Sequence, residues 1–274
     1  MAHKRRADEL LVARGCYATT AAAERALRAG EVRLNDAQKT LLETPGQLID
    51  EDSMFLCQAT RRFVSRGGEK LAGALADFDY DVRGLRCIDI GASTGGFTDC
   101  LLQAGAASVV ALDVAYGVID WKLRGDSRVR VVERCNIRTA TEDELAALGA
   151  PFDLLVADLS FISLEMVFAS LQRCVGDRGE MLLLAKPQFE AARREVGAGG
   201  IVRDPRVQSA VLARLEAVAG DAGAVVRGRT SSPIKGARGN IEFWLWIGAV
   251  RDSAACDNRE SVDRVVRDAH ERLD

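Results

Sequence analysis

From about residue 85 onward the chain alternates short, mainly apolar runs with stretches whose apolar residues recur at helical spacing. The runs at 86–90, 108–112, 128–133, 153–157 and 180–185 are rich in Val, Ile and Leu, the pattern of strands buried on both faces. Two more runs, 224–228 and 241–248, close the series. Strand and helix in alternation predict an α/β, Rossmann-like domain: a seven-strand, mostly parallel sheet with helices on both faces. The first part of the chain reads differently. Residues 6–14 and 20–29 have helical periodicity, with Gly15 and Gly30 as C-terminal stops, and 31–35 alternates as a short strand. Asn35-Asp36 marks a turn, and 47–57 holds further strand. The pattern therefore divides into a small α/β module at 1–60, a linker at 61–68, a large domain at 69–250 and a charged tail at 251–274. A helix from Glu69 to about Phe78 opens the large domain, and Val262, Val265, Val266 and Leu273 make the tail helical.

Composition narrows the field. A chain of 274 residues with 48% hydrophobic content buries a proper core. The net charge of −3 excludes a strongly basic protein overall, but residues 1–70 hold clustered arginines. Arg5, Arg6, Arg25, Arg28 and Arg33 lie on or beside the two first helices, where they would form a basic face for nucleic acid or an ordinary solvated surface. Charge alone leaves both open. Seven cysteines form no CxxC pair, and the two histidines, His3 and His270, lie near the ends. That argues against a metal site and for a reducing compartment. The basic N-terminus has no apolar segment behind it, and no apolar run approaches the roughly 18–20 residues of a membrane span. The expected location is the cytoplasm.

The first candidate site is the stretch 86–98. Gly91 ends an apolar strand, Gly95 and Gly96 follow, and a helix starts near Phe97. This turn suits a ligand that approaches the backbone closely and meets the free N–H groups of a helix start. Asp113 ends the next strand, 22 residues after Gly91, a spacing that suits hydrogen bonds to both hydroxyls of a ribose. Glycines at 91, 95 and 96 depart from the dinucleotide fingerprint, which disfavours a dehydrogenase. The stretch resembles motif I of S-adenosylmethionine-dependent methyltransferases. That resemblance implies that Gly91, Ala92, Ser93, Thr94, Gly95, Gly96 and Phe97 wrap the methionine end of the cofactor and Asp113 takes its ribose. Asn136 stands where related enzymes read the adenine edge, with an amide where a carboxylate is frequent; an ordinary turn asparagine is the other reading.

Two strand ends carry charge: Asp158 after Val156-Ala157, and Lys186 after Leu184-Ala185. In a doubly wound sheet both reach the crevice beside Gly91. Glu242 begins the last apolar strand and joins them if that strand runs antiparallel, after a glycine-bearing loop at 232–240 able to reach substrate. The loop at 196–204 reads as a lid near Lys186 or as plain surface.

With Lys70, these residues match the Lys-Asp-Lys-Glu tetrad of the FtsJ-like ribose 2′-O-methyltransferases. The junction at 65–71, the motifs at 91–98, 158–164 and 186–190, and the order of modules resemble the TlyA family over roughly residues 6–248. Residues 6–55 are similar to a small RNA-binding domain first seen in a small-subunit ribosomal protein. The resemblance implies methylation of the 2′-hydroxyl of cytidine in ribosomal RNA of the small and often the large subunit. Ribosomal subunits are then the partners and S-adenosyl-L-methionine the cofactor. Lys186 would be the general base, Asp158 and Glu242 would position it and hold the ribose, and Lys70 would orient the 2′-oxygen or lower the pKa of Lys186. Arg66, in the linker, would join the arginines on RNA. Some family members carry the label haemolysin. Two rival readings are an RNA-binding assembly factor without catalysis, which has no use for the tetrad, and a membrane-active haemolysin, for which the sequence has neither span nor long basic amphipathic helix.

Overall fold

The chain divides into two units, Met1–Arg62 and Phe63–Asp274. The computed structural model describes residues 4–17, 19–28, 32–57, 62–236, 238–248 and 261–273, leaving out the side chains of Arg25 and Cys57. His3, Gly30, Glu31 and the tail from 251 to 260 lie outside the described residues.

The first unit runs β1 (Lys4–Arg6), α1 (Ala7–Ala13), α2 (Thr20–Arg28), β2 (Val32–Leu34), β3 (Leu41–Leu42), β4 (Leu48–Asp50) and β5 (Phe55–Cys57). Its apolar positions face inward: Leu10, Leu11, Leu27, Val32 and Leu42 are all at most 2% exposed and form one cluster. Each such side chain contributes about 1.5–3 kcal/mol by leaving water. β2 pairs with both β3 and β5, and β1 pairs antiparallel with β4. β1 corrects the reading that starts a helix at Arg6. Lys-Arg-Arg has no apolar alternation, and its strand exists through backbone pairing with Leu48–Asp50.

The second unit opens with α3 (Gly67–Asp77), then β6 (Arg86–Ile90), α4 (Gly96–Gln103), β7 (Ser108–Leu112), α5 (Trp121–Arg124), β8 (Val129–Val132), α6 (Glu142–Leu148), β9 (Leu154–Ala157), α7 (Leu164–Val175) and β10 (Glu180–Ala185). It continues with α8 (Pro187–Glu190), α9 (Pro205–Asp221), β11 (Val225–Ser231), β12 (Phe243–Gly248) and α10 (Val262–Leu273). Seven strands form one sheet in the order β11-β12-β10-β9-β6-β7-β8. β6 to β10 are mutually parallel, and β12 runs antiparallel to both β10 and β11. The apolar runs of the sequence become strands buried from both sides, and two core clusters cover the faces. Side chains of β9 show how. Leu154 and Val156 join one cluster, Leu155 and Ala157 the other, as alternation along a strand requires.

This order has one consequence for function. The chain leaves β6 toward β7 on one side, and β9 lies against β6 on the other. The crevice beyond the carboxyl ends of β6 and β9 is a topological switch point, where ligands of open α/β sheets bind. Gly91 and Asp158 flank it, joined by the Asp158 N–H donating to the carbonyl of Ile90 at 3.2 Å.

Candidate active site

Two cavities open at this crevice. The first, about 390 Å³, is lined by Gly91, Ser93, Asp113, Asn136, Asp158 and the apolar side chains of Val114, Ile137 and Leu159, among others. Asp113 is held rigidly. Its two oxygens accept hydrogen bonds from the Ser93 N–H and the Ala115 N–H, both at 2.7 Å, which ties the glycine turn to the end of β7. A carboxylate has about four acceptor positions, so capacity for a diol remains. Asn136 accepts from the Arg138 N–H at 3.0 Å, which leaves its NH2 group to donate. An acidic acceptor, an amide and flat apolar walls fit a nucleoside, the cofactor class that the glycine motif implies.

The glycines earn their places through the protein as well as through a ligand. Gly91 and Gly95 have positive φ, +80° and +96°. A Cβ on Gly95 would stand 2.2 Å from Leu123 Cδ1, and one on Gly96 would stand 2.2 Å from Ser65 Oγ and 2.9 Å from the Gly68 nitrogen. Gly96 thus lets the start of α4 lie against the start of α3. Phe97, the last residue of that glycine stretch, turns its side chain inward. It is 3% exposed, packs its ring on Trp244 at 5.3 Å, and belongs to the core. Ala92 is also buried, Thr94 is exposed, and neither they nor Gly95, Gly96 and Phe97 line the cavity.

The second cavity, about 280 Å³, adjoins the first through Ser160 and Phe161 and is lined by Lys70, Lys186, Asn240 and Glu242. Here the four tetrad residues form a row of alternating charge. Lys186 Nζ lies 2.6 Å from Asp158 Oδ1, Lys70 Nζ lies 3.7 Å from Asp158 Oδ2, and Lys70 Nζ lies 2.6 Å from Glu242 Oε2. Lys186 and Glu242 are buried, at 7% and 3% exposure. Four different elements deliver them. Asp158 directly follows β9, Lys186 directly follows β10, α3 brings Lys70 in its first turn, and antiparallel β12 starts just after Glu242.

Two glycines permit this convergence. A Cβ at Gly73 would meet the Pro233 ring at 2.6 Å, so its absence lets α3 pack on the 232–240 loop. A Cβ at Gly236 would meet Glu242 Oε1 at 2.4 Å, so this glycine leaves room for the carboxylate. Arg66 donates to the Lys235 carbonyl at 3.3 Å and anchors the same loop. The 196–204 loop forms part of the cavity wall through Val196 and Gly200. Its backbone is held by Asn240, whose Oδ1 accepts from the Val202 N–H at 2.9 Å and whose Nδ2 donates to the Gly200 carbonyl at 2.8 Å.

Sequence reasoning missed several residues at this site. Ser160 Oγ accepts from Lys186 Nζ at 2.9 Å, giving that lysine a second fixed acceptor. Phe161, 87% exposed at φ +65°, packs on Phe189 with ring centroids 5.1 Å apart and planes tilted by 48°, also at the cavity. Glu190 accepts from Ser163 Oγ at 2.6 Å and the Leu164 N–H at 2.8 Å, stapling the segment after β9 to the segment after β10. Burial pushes its carboxyl above the usual range. Asp89, one residue before the end of β6, accepts from Thr98 N–H and Oγ1 at 3.0 and 2.7 Å. Its complete burial raises it to about 7. The signal for Asp89 was present: a carboxylate inside an apolar strand needs a partner.

The first unit's arginines sit beside acids. Arg6 makes a paired contact with buried Asp8, at 2.6 and 3.1 Å, which holds that carboxyl below its usual value. Arg5 lies 3.6 Å from Glu51, Arg28 lies 3.3 Å from Glu24, and Arg33 donates to the Lys39 carbonyl. Arg5, Arg28 and Arg33 stay exposed, but carboxylates interleave with the basic groups; the Arg25 side chain lies outside the described residues. Among the described residues no group of three or more His, Cys, Asp or Glu side chains could hold a metal ion, and no helix is long and apolar enough to cross a membrane.

The pattern of the FtsJ-like methyltransferase family matches residues 63–249. The candidate rRNA methyltransferase YqxC of Bacillus subtilis is 43% identical over 98% of this chain and 95% of its own. The 16S/23S rRNA (cytidine-2′-O)-methyltransferase TlyA of Mycobacterium tuberculosis is 41% identical, over 93% of each chain. Among solved structures, a candidate hemolysin from Streptococcus thermophilus superposes with a TM-score of 0.74 at 39% identity, covering 99% of this chain and 98% of that one.

Proposed function

The chain belongs to the FtsJ-like methyltransferase family, and on that footing we propose that it methylates the ribose 2′-hydroxyl of cytidine in ribosomal RNA with S-adenosyl-L-methionine as donor. The observation that carries this reading is the row Lys186–Asp158–Lys70–Glu242 beside a second cavity, next to a first cavity that suits a nucleoside. In this reading the first cavity holds the cofactor, with Asp113 on its ribose hydroxyls, Asn136 at the adenine edge and Gly91 and Ser93 along its length. When bound, the cofactor supplies a sulfonium-bound methyl group, an electrophile for a ribose oxygen.

The second cavity takes the acceptor ribose. A 2′-hydroxyl is a weak nucleophile and must lose its proton as it attacks, so a base within hydrogen-bond reach is needed. Lys186 serves, provided it is neutral when the ribose arrives. A neutral amine has two N–H groups and one lone pair. Asp158 Oδ1 and Ser160 Oγ are two fixed acceptors for those N–H groups, which leaves the lone pair for the incoming proton. Lys70, held between Asp158 and Glu242, is placed to donate to the 2′-oxygen and fix it. The exposed ring of Phe161, tilted against half-buried Phe189, offers a face on which a base can stack at the mouth. Ribosomal subunits are the partners, in the cytoplasm. The small first unit supplies RNA contacts through Arg5, Arg6, Arg25, Arg28 and Arg33, and Arg66 adds one beside the catalytic cavity.

Purified protein with methyl-labelled S-adenosylmethionine and isolated small subunits, large subunits or naked rRNA tests this. Labelled 2′-O-methylcytidine after complete digestion is the expected product. Tight RNA binding without transfer to any of these substrates would instead favour a non-catalytic assembly factor.

A further inference from the structure

The C-terminal helix α10 lies beyond the family match, which ends at residue 249, and contributes no residue to the lining of either cavity. Its apolar side is ordinary core: Val265, Val266 and Ala269 are buried with residues of α9 and β11. Its polar side is not ordinary, because two of its residues connect to the walls of the 280 Å³ cavity.

The first connection is Arg272. Its Nη2 donates to the Ser231 carbonyl at 2.9 Å, to Ser231 Oγ at 2.7 Å and to the Ser232 carbonyl at 3.2 Å. Ser231 ends β11, where the 232–240 loop departs, and the Ser232 N–H donates to the Glu242 carbonyl at 2.8 Å. One guanidinium therefore holds the point at which the loop leaves the sheet and the Glu242 backbone returns to it.

The second connection starts at His270, whose Nε2 lies 2.9 Å from Gln208 Oε1. Gln208 Nε2 donates to the Val202 carbonyl at 2.9 Å, so its oxygen is the acceptor for His270, and His270 must carry a hydrogen on Nε2. Val202 donates onward to Asn240, which also holds Gly200. Gln208 and Asn240 are 0% and 2% exposed. Interior hydrogen bonds of this kind are costly to leave unmade, so the route is stiff. It ends at Gly200 and Asn240, both in the cavity wall, two residues from Glu242.

We propose that α10 is a positioning element of the acceptor cavity, with Arg272 and His270 fixing the two loops that wall it and thereby the seat of the RNA ribose. This rests on reading that cavity as the acceptor side. No residue of either connection lines the cofactor cavity, so cofactor binding should not respond.

The test uses the full chain with R272A, H270A, R272K and H270Q, at a temperature where circular dichroism shows each variant folded. S-adenosylmethionine affinity is measured by calorimetry, and kcat and KM by methyl transfer to ribosomal RNA. The alanine variants should lose about tenfold in kcat/KM for RNA while cofactor affinity stays within about twofold. R272K and H270Q keep a donor at each position and should recover most of the loss. Unchanged kcat/KM in both folded alanine variants overturns the proposal, as does a parallel fall in cofactor affinity, which would mean general loosening. A wild-type protein that binds the cofactor but transfers no methyl group overturns the acceptor reading itself, and the proposal with it.

Discussion

Asp158 and Lys186 meet at 2.6 Å across the ends of two neighbouring parallel strands, and the other oxygen of the same carboxylate reaches toward Lys70 at 3.7 Å. One acid thus organises two lysines. Lys186→Ala should lower methyl transfer by at least ~100-fold, the range of a lost general base, with cofactor binding retained. Asp158→Ala should match it, because each lysine loses a fixed acceptor in a site where unpaired charge is costly. Ser160→Ala leaves Lys186 with Asp158 alone and should cost about tenfold in kcat with KM unchanged. Steady-state methyl-transfer assays with varied RNA concentration measure all three. Near-native turnover in a folded Lys186→Ala protein would remove the base assignment.

Asp113 does two jobs at once if the first cavity holds a nucleoside. Asp113→Ala removes the ligand acceptor and the two hydrogen bonds that tie Ser93 and Ala115 to β7. S-adenosylmethionine should bind about 10–100-fold more weakly, read by calorimetry, since each hydrogen bond to a charged group contributes about 1.5–3 kcal/mol. Unaltered affinity would move the ribose site elsewhere.

Gly96→Ala tests whether that glycine serves packing. Its new Cβ would collide with Ser65 Oγ and the Gly68 backbone, at 2.2 and 2.9 Å, in a place where helix starts meet and backbone cannot swing aside. Overpacking of this kind costs about 1–3 kcal/mol, so the melting temperature should fall by several degrees even without cofactor. Gly84→Ala is the comparison. A Cβ there meets nothing within 4 Å, and only its φ of +76° is strained.

Asp89 makes stability depend on pH. Burial raises its carboxyl to about 7, with the nearby charges of Asp158 and Asp113 adding to the rise and the Thr98 hydrogen bonds opposing it. The folded value lies above the usual unfolded value of about 3.9, so the folded chain holds this proton more tightly. The group's favourable contribution is complete below about pH 4 and is lost as pH rises through about 7. Asp89→Asn cannot ionise. Relative to the parent, it should be less destabilising, or even stabilising, at pH 8 than at pH 5 in urea denaturation. Equal differences at the two pH values would contradict the assignment.

Much of this was legible from residue order because the responsible forces are local. Unbroken apolar runs such as 154–157 and 181–185 must be buried on both faces, and that dictates the parallel sheet. A glycine turn after β6 and an acid at the end of β7 follow from the chain's own spacing, and Asp158 and Lys186 end strands whose ends must share one edge. Strand β1 was not legible. Lys-Arg-Arg carries no pattern, and it is a strand only because Leu48–Asp50 arrives beside it.

The sequence by itself determined the fold class, the switch-point crevice and the residue types within it, since hydrophobic periodicity and strand-end position are properties of single segments. Only the tertiary structure decided how those residues meet. Lys70 pairs with Glu242 because Gly73 and Gly236 let a helix and a loop close to distances no side chain would allow. The ring of Phe97, in the glycine motif, packs on Trp244 in the core. Arg272 and His270, in a tail that read as a charged helix with no assigned role, reach the loops around Glu242. Close approach and hydrogen bonding between segments up to 169 residues apart, as between Arg66 and Lys235, are relations between surfaces, and no local pattern encodes them.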